Sequence, residues 1–109
     1  MQLWYDRNRQ PIDADTANRL LGDQGYVRIA LTELTAPDGP HRTARISTVW
    51  RGIDIPSFGP QLFETMVFGG PEDQRQQRYD TEDEARAGHD SIVAETLALI
   101  PGAKQAPSP

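Results

Sequence analysis

Four residues in the middle of the chain have the types and spacing to support chemistry: Thr48, Trp50, Asp54 and Glu64. Side chains alternate between faces on an extended strand, so Thr48, Trp50 and Asp54 share one parity. If the following strand pairs back across the intervening loop, Glu64 could join the same face. A carboxylate set among apolar groups has its pKa raised by desolvation and can work as a general base. The same face could instead orient a small ligand through its hydroxyl, indole and carboxylates. Arg51 and His89 stand beside this group as second-tier members. The competing reading puts Trp50 in the core, Asp54 at a loop cap, and Glu64 in water or against an arginine, as usual burial patterns would have it.

Other chemistry-bearing signals are sparse. The sequence has no G-x-G-x-x-G, no phosphate loop, no H-E-x-x-H and no G-x-S-x-G. Cysteine is absent, which removes disulfides, thiol nucleophiles and thiolate metal sites. There are two histidines: His41, in a turn between Pro40 and Arg42, and His89, on or beside the apolar stripe of the last helix. Their separation and the lack of ligand spacing give no support for a metal, and no cofactor is expected.

The elements that must position these residues follow from pattern. Leu3–Tyr5 reads as a strand or an anchored arm. Asp13 or Asp15 can cap a short helix over Thr16–Leu21, with Gly22 and Gly25 marking its exit. Val27, Ile29 and Leu31 alternate with Arg28, Ala30 and Thr32, a strand with Val27, Ile29 and Leu31 on one face. Ala36-Pro37-Asp38-Gly39-Pro40 is a turn, and a second strand runs from about Thr43 to Asp54, with Ile46, Thr48 and Trp50 on one side. After a Pro/Gly loop, a third strand covers about Gln61–Phe68; the polar stretch 72–77 reads as an exposed loop. Thr81 with Glu84 forms a capping box, and the helix it opens should reach about Leu99. Gly88 on its apolar stripe would allow close approach to the sheet. The expected fold is α+β: a short antiparallel sheet of three to four strands packed by a C-terminal helix, in the order β-α-β-β-β-α. Residues 1–100 form one domain and 101–109 a flexible, Pro-containing tail.

Composition narrows the function classes. The chain has 109 residues and a net charge of −5. Residues 1–70 hold seven Arg against eight acids, and residues 71–99 three Arg against eight acids. Nucleic-acid binders usually present a basic surface, so nucleic acid is not the expected partner, although Arg42, Arg45 and Arg51 could make a local basic patch. No apolar run approaches the ~20 residues that span a bilayer, and the start of the chain turns charged at once, so a cytoplasmic protein without a membrane partner is expected. Trp4, Tyr5 and Tyr26 could form an aromatic patch for a protein partner or the edge of the core.

The segments Ser47-Thr48-Val49-Trp50-Arg51-Gly52-Ile53-Asp54, Leu62-Phe63-Glu64-Thr65-Met66-Val67-Phe68-Gly69-Gly70 and Arg78-Tyr79-Asp80-Thr81-Glu82-Asp83-Glu84-Ala85-Arg86-Ala87-Gly88-His89, together with Trp4-Tyr5-Asp6, resemble a family of small uncharacterised proteins encoded by tailed phages and prophages. The resemblance spans roughly residues 4 to 95. It implies a phage or prophage source more than a mechanism. Members often carry a His directly after the Asp of the second strand, where this chain has Ile55.

Three functions then compete. The first is an accessory protein in the host cytoplasm that binds a host factor or sequesters a small molecule without catalysis, as in host takeover or counter-defence. A homo-oligomer would serve it, because one small domain offers little pocket volume. The second is a small hydrolase or isomerase using Asp54 or Glu64. The third is a virion structural or assembly protein. The motif-free sequence favours the first.

Overall fold

A computed structural model describes residues 3–39 and 42–106. Its α+β architecture is a five-stranded antiparallel sheet with one long helix across one face. The elements are α1 (Ala14–Leu21), α2 (Gln24–Val27), β1 (Arg28–Thr35), β2 (Thr43–Trp50), β3 (Phe63–Phe68), β4 (Gln76–Tyr79), α3 (Glu82–Leu99) and β5 (Lys104–Gln105). The spatial order is β4-β3-β2-β1-β5, so β2 and β3 are central.

Local signals start each element. The Asp13 carboxylate accepts the Thr16 N–H at 2.7 Å and opens α1. Asp23 does the same for Tyr26 at the head of α2, a single turn that the glycine-marked exit had not suggested. Thr81 Oγ1 accepts the Glu84 N–H at 3.2 Å, capping α3, and donates its own proton to the Glu84 carboxylate at 2.9 Å. Three acids in the first turn of α3 suit the positive end of the helix dipole.

Two expectations are corrected. The stretch 72–77 is not all loop: Gln76–Tyr79 pairs with β3 as an edge strand. Its polar sequence carries little strand signal because an edge strand with one open face can be polar almost throughout. Of the two readings of Leu3–Tyr5 the anchored arm is the one found, with Trp4 bridging Ile53 and Tyr5 bridging Pro11. The alternation over Val27–Leu31 fails at a β-bulge between Arg28 and Ala30. The extra residue, Ile29, packs with Trp50 and Ala85 in the core, while Leu31, opposite Ser47, lies on the other face of the sheet. Beyond the domain boundary, Lys104 and Gln105 pair with Thr35 and Leu34, so the tail lends two residues to the sheet.

The register sorts the strands cleanly. Ile46 lies opposite Val67, Thr48 opposite Thr65, and Trp50 opposite Phe63, all on the face under α3. The core there falls into two clusters. One gathers Leu34, Ala44, Ile46 and Val67 beneath Ile92, Val93 and Ile100. The other gathers Ile29, Trp50, Leu62, Phe63 and Tyr79 beneath Ala85. Gly88 sits where a Cβ would overlap the Tyr79 ring and hydroxyl, so the expected close approach of helix to sheet is met.

Candidate functional site

The apolar face of α3 carries His89 down onto the sheet, into the seam between the two clusters. There a chain of hydrogen bonds crosses the strands. The Tyr79 hydroxyl donates to Thr65 Oγ1 at 3.1 Å. The Thr65 and Thr48 hydroxyls are 2.5 Å apart, and Thr48 Oγ1 is 2.7 Å from His89 Nδ1. His89 Nε2 lies 2.9 Å from Thr32 Oγ1. One strand residue is contributed by each of β1, β2, β3 and β4: Thr48 and Thr65 are direct register partners, while Thr32 and Tyr79, opposite Ile46 and Phe63, join on the diagonal.

Proton counting gives the chain a direction. Each hydroxyl holds one proton. With Tyr79 giving its proton to Thr65, the one arrangement that leaves every proton an acceptor within the chain has Thr65 giving to Thr48 and Thr48 giving to Nδ1. The imidazole therefore accepts at Nδ1 and donates from Nε2–H to Thr32. Burial lowers the His89 pKa below its ordinary value; Asp90 pulls it back up and the Arg86 charge lowers it further. Burial raises the Tyr79 phenol above its ordinary value, with the Thr65 bond and Arg75 acting the other way. Both groups are thereby held neutral at pH 7. Among the described residues no buried side-chain nitrogen or oxygen lacks a partner.

The six residues singled out from sequence do not converge. Thr48 and His89 meet, but under α3, where Thr48 is fully buried and His89 is 2% exposed. No reactant reaches either imidazole nitrogen while the helix is docked, so this pair cannot serve as an acid–base site in the folded state. Trp50 belongs to the neighbouring cluster; its indole N–H donates to the Tyr5 carbonyl at 2.9 Å and its ring meets Tyr26 edge-on, centroids 5.1 Å apart. Asp54 lies beyond the end of β2, its carboxylate 3.1 Å from the Arg9 guanidinium. Glu64 pairs with Val49, which turns it to the opposite face of the sheet, where it meets Arg78 at 2.8 Å. The shared face sketched for Glu64 would need it opposite an even-numbered residue of β2. Arg51 fastens a loop, donating to the Gln61 carbonyl at 3.0 Å.

The remaining candidates resolve similarly. Tyr5 and Tyr26 pack against the second cluster as its edge. Arg45 is paired with Glu33 at 3.0 Å. His41 lies outside the described residues. Among those residues no three His, Cys, Asp or Glu side chains come together to hold a metal ion, and no helix is long and apolar enough to cross a membrane.

Two surface features escaped the sequence reading. Arg7 grips Glu82 through Nε and Nη2 at 2.7 and 2.8 Å and lies 5.5 Å over the Tyr26 ring, tying the N-terminal arm to α3. A shallow cleft of about 210 Å³ opens beside it, between Arg7–Arg9 and the start of α3. The second feature is Phe58, 69% exposed on the loop between β2 and β3. The signal for it was available: an aromatic residue flanked by two prolines and a glycine has no strand in which to bury itself. Compared with known proteins, the chain matches no protein family, no curated protein and no solved structure.

Proposed function

We propose that this chain is a non-catalytic binding protein, a phage or prophage accessory protein that acts in the host cell by docking on a host protein through the Phe58 loop. The observation that carries this reading is the exposure of Phe58 on a loop whose base is fastened. The Arg51 N–H donates to the Leu62 carbonyl at 2.7 Å, the Asp54 N–H to the Leu3 carbonyl at 3.0 Å, and the Phe58 N–H to the Ile55 carbonyl at 2.9 Å. An aromatic side chain presented on a pre-ordered loop loses little further entropy on binding, which is the usual character of an interface anchor. The groups capable of chemistry lend weight to the same reading, since each is sealed or paired: His89 by threonines, Asp54 by Arg9, Glu64 by Arg78. The phage source rests on the sequence resemblance.

Sequestration of a small molecule is less favoured. The cleft beside Arg7 is smaller than the ~300–1,000 Å³ typical of ligand pockets. Native mass spectrometry of the protein isolated gently from a bacterial host lysate tests the proposal. A stoichiometric protein partner that is lost in Phe58→Ala, with the fold intact, is the expected result. A bound small molecule that survives Phe58→Ala, or a partner indifferent to that substitution, overturns it.

A further inference from the structure

The turn near the start of the chain sets an arginine where the backbone favours glycine. Residues 5–11 close on themselves. Tyr5 bridges Pro11, the Asp6 N–H donates to the Gln10 carbonyl at 2.9 Å, and the Arg9 N–H donates to the Asp6 carbonyl at 3.0 Å. The Asp6 carboxylate accepts the Asn8 and Gln10 N–H groups, each at 2.9 Å. This closure holds Arg9 at φ +63°, in the left-handed region. Glycine enters that region freely and asparagine readily, while a long side chain is disfavoured there. None of the bonds that close the turn comes from the Arg9 side chain, so the turn itself has no use for arginine.

The use lies at the far end of the side chain. Arg9 Nη1 donates to the Asp80 carbonyl at 2.8 Å, and Nη2 meets Asp54 Oδ2 at 3.1 Å. Asp80 stands in the turn between β4 and α3, and Asp54 at the base of the Phe58 loop. Asp54 is 7% exposed, and among the described residues Arg9 is the one cation paired with it. The arm holds the same stretch through its backbone: Tyr5 N–H donates to the Gly52 carbonyl at 2.9 Å, Trp4 bridges Ile53, and the Leu3 carbonyl accepts the Asp54 N–H. Asp54 is bonded directly to Ile55, whose carbonyl receives the Phe58 N–H and closes the 3-10 turn Pro56–Phe58.

We infer that Arg9 is a positioning residue for the Phe58 docking loop: its guanidinium clamps the base of that loop to the turn ahead of α3, and the unfavourable backbone is kept for the side chain it presents. A guanidinium offers its donors in one rigid plane, so it sets the spacing of Asp54 and Asp80 as well as compensating the carboxylate. Strain of this kind persists where the surrounding contacts over-determine it and the residue has a task. Without Arg9 the Asp54 carboxylate is buried unpaired, and the loop base rests on the arm through backbone bonds alone. The Phe58 ring then samples more orientations, and ordering them costs affinity. The docking role of Phe58 is taken from the reading above, whereas the order of its loop is measurable on the isolated protein.

Native-state amide exchange of the full chain, followed by NMR, tests this with Arg9→Asn, which suits the left-handed turn and is too short to reach Asp54. The Asp54 and Phe58 amides should exchange about tenfold faster or more, and the backbone order parameter at Phe58 should fall, while the amides of β2 and β3 keep their rates. The double variant Arg9→Asn/Asp54→Asn removes the buried charge, so compensation is no longer needed; the loop amides should stay fast in it. If Arg9→Asn does not fold, the double variant decides alone. Loop amides unchanged in Arg9→Asn overturn the inference. So does an equal quickening across β2 and β3, which marks a general loss of stability, or a return to slow exchange in the double variant, which marks charge compensation alone. No partner enters the measurement, so a host protein indifferent to Phe58→Ala overturns docking and leaves the loop's order to be judged by these rates.

Discussion

Acid should loosen this protein through His89 well before its carboxylates titrate. The imidazole accepts from Thr48 and donates to Thr32, and His89 as a whole is 2% exposed. A second proton must enter at Nδ1. Thr48 would then have to turn its own proton to Thr65, Thr65 would have to turn to Tyr79, and the Tyr79 proton would lose its acceptor. No carboxylate from the sheet faces the ring; on its own helix Asp90 favours the charged form and Arg86 opposes it. The folded-state pKa is accordingly below the ordinary value of 6.5. The unfolded chain binds the proton first as pH falls, so the stability due to neutral His89 is complete above pH 6.5. It is then lost as pH drops from there towards the folded pKa. In that window the loss approaches about 1.4 kcal/mol per pH unit, a large share of the ~5–15 kcal/mol that holds a typical domain together. Urea denaturation at a series of pH values between 7.5 and 5.5 measures it. His89→Gln should lower stability at pH 7.5 by about 1–3 kcal/mol and flatten the pH dependence. A wild-type profile that is already flat, or a variant that keeps the wild-type slope, refutes the reasoning. Nitrogen chemical shifts of the ring give a second check, with Nε2 expected to carry the proton.

Three further outcomes follow from contacts elsewhere. Gly88→Ala drives a methyl into the Tyr79 ring and hydroxyl, so a loss of about 1–3 kcal/mol and a weakened Tyr79–Thr65 bond are expected from chemical denaturation and the Tyr79 proton resonances. Removing the α3 cap with Thr81→Ala should cost about 1 kcal/mol, and hydrogen exchange should quicken first at residues 82–85. Hydrogen bonding to Arg7, chiefly, holds the Glu82 carboxyl below its ordinary range against a smaller effect of burial, so its contribution is present above pH 4.5 and is lost as pH falls through the lowered value. Because the pair is partly exposed and screened, Glu82→Gln should cost less than about 1 kcal/mol, read chiefly as faster proteolysis of the N-terminal arm.

The parts of the fold that were legible share a physical character: their determinants are local. The α3 cap is written in Thr81 and Glu84, and the inner face of β2 in the alternation of Ile46, Thr48 and Trp50. The helix–sheet approach is written in one glycine. Features set by distant partners were not legible. β4 forms because β3 offers an open edge, and nothing in Gln76-Gln77-Arg78 announces it. The bulge at Ile29 depends on the match between β1 and β2, and it reverses the parity that the alternation over Val27–Leu31 implied. At the candidate site, residue type singles out Thr48 and His89, and spacing puts His89 on or beside the apolar stripe. Their meeting depends on helix register over the sheet, which spacing along the chain does not encode. Glu64 would share a face with Thr48 and Trp50 only in a register one residue away from the Val49–Glu64 pairing, and one residue is enough to move a side chain through the sheet.

The two-residue strand β5 governs how this sheet can grow. It covers only Leu34 and Thr35 at one edge, with the Ala106 N–H donating to the Glu33 carbonyl at 2.8 Å. At the far edge β4 is four residues long and ends against the turn into α3. A foreign strand arriving beside β1 finds its backbone from Arg28 to Glu33 uncovered by β5, whereas one arriving beside β4 finds a short, polar template bearing Gln76, Gln77 and Arg78. The β4 edge resists open-ended stacking of chains into ribbons. Any strand added to this sheet should therefore pair along β1 short of Leu34, where β5 closes the edge.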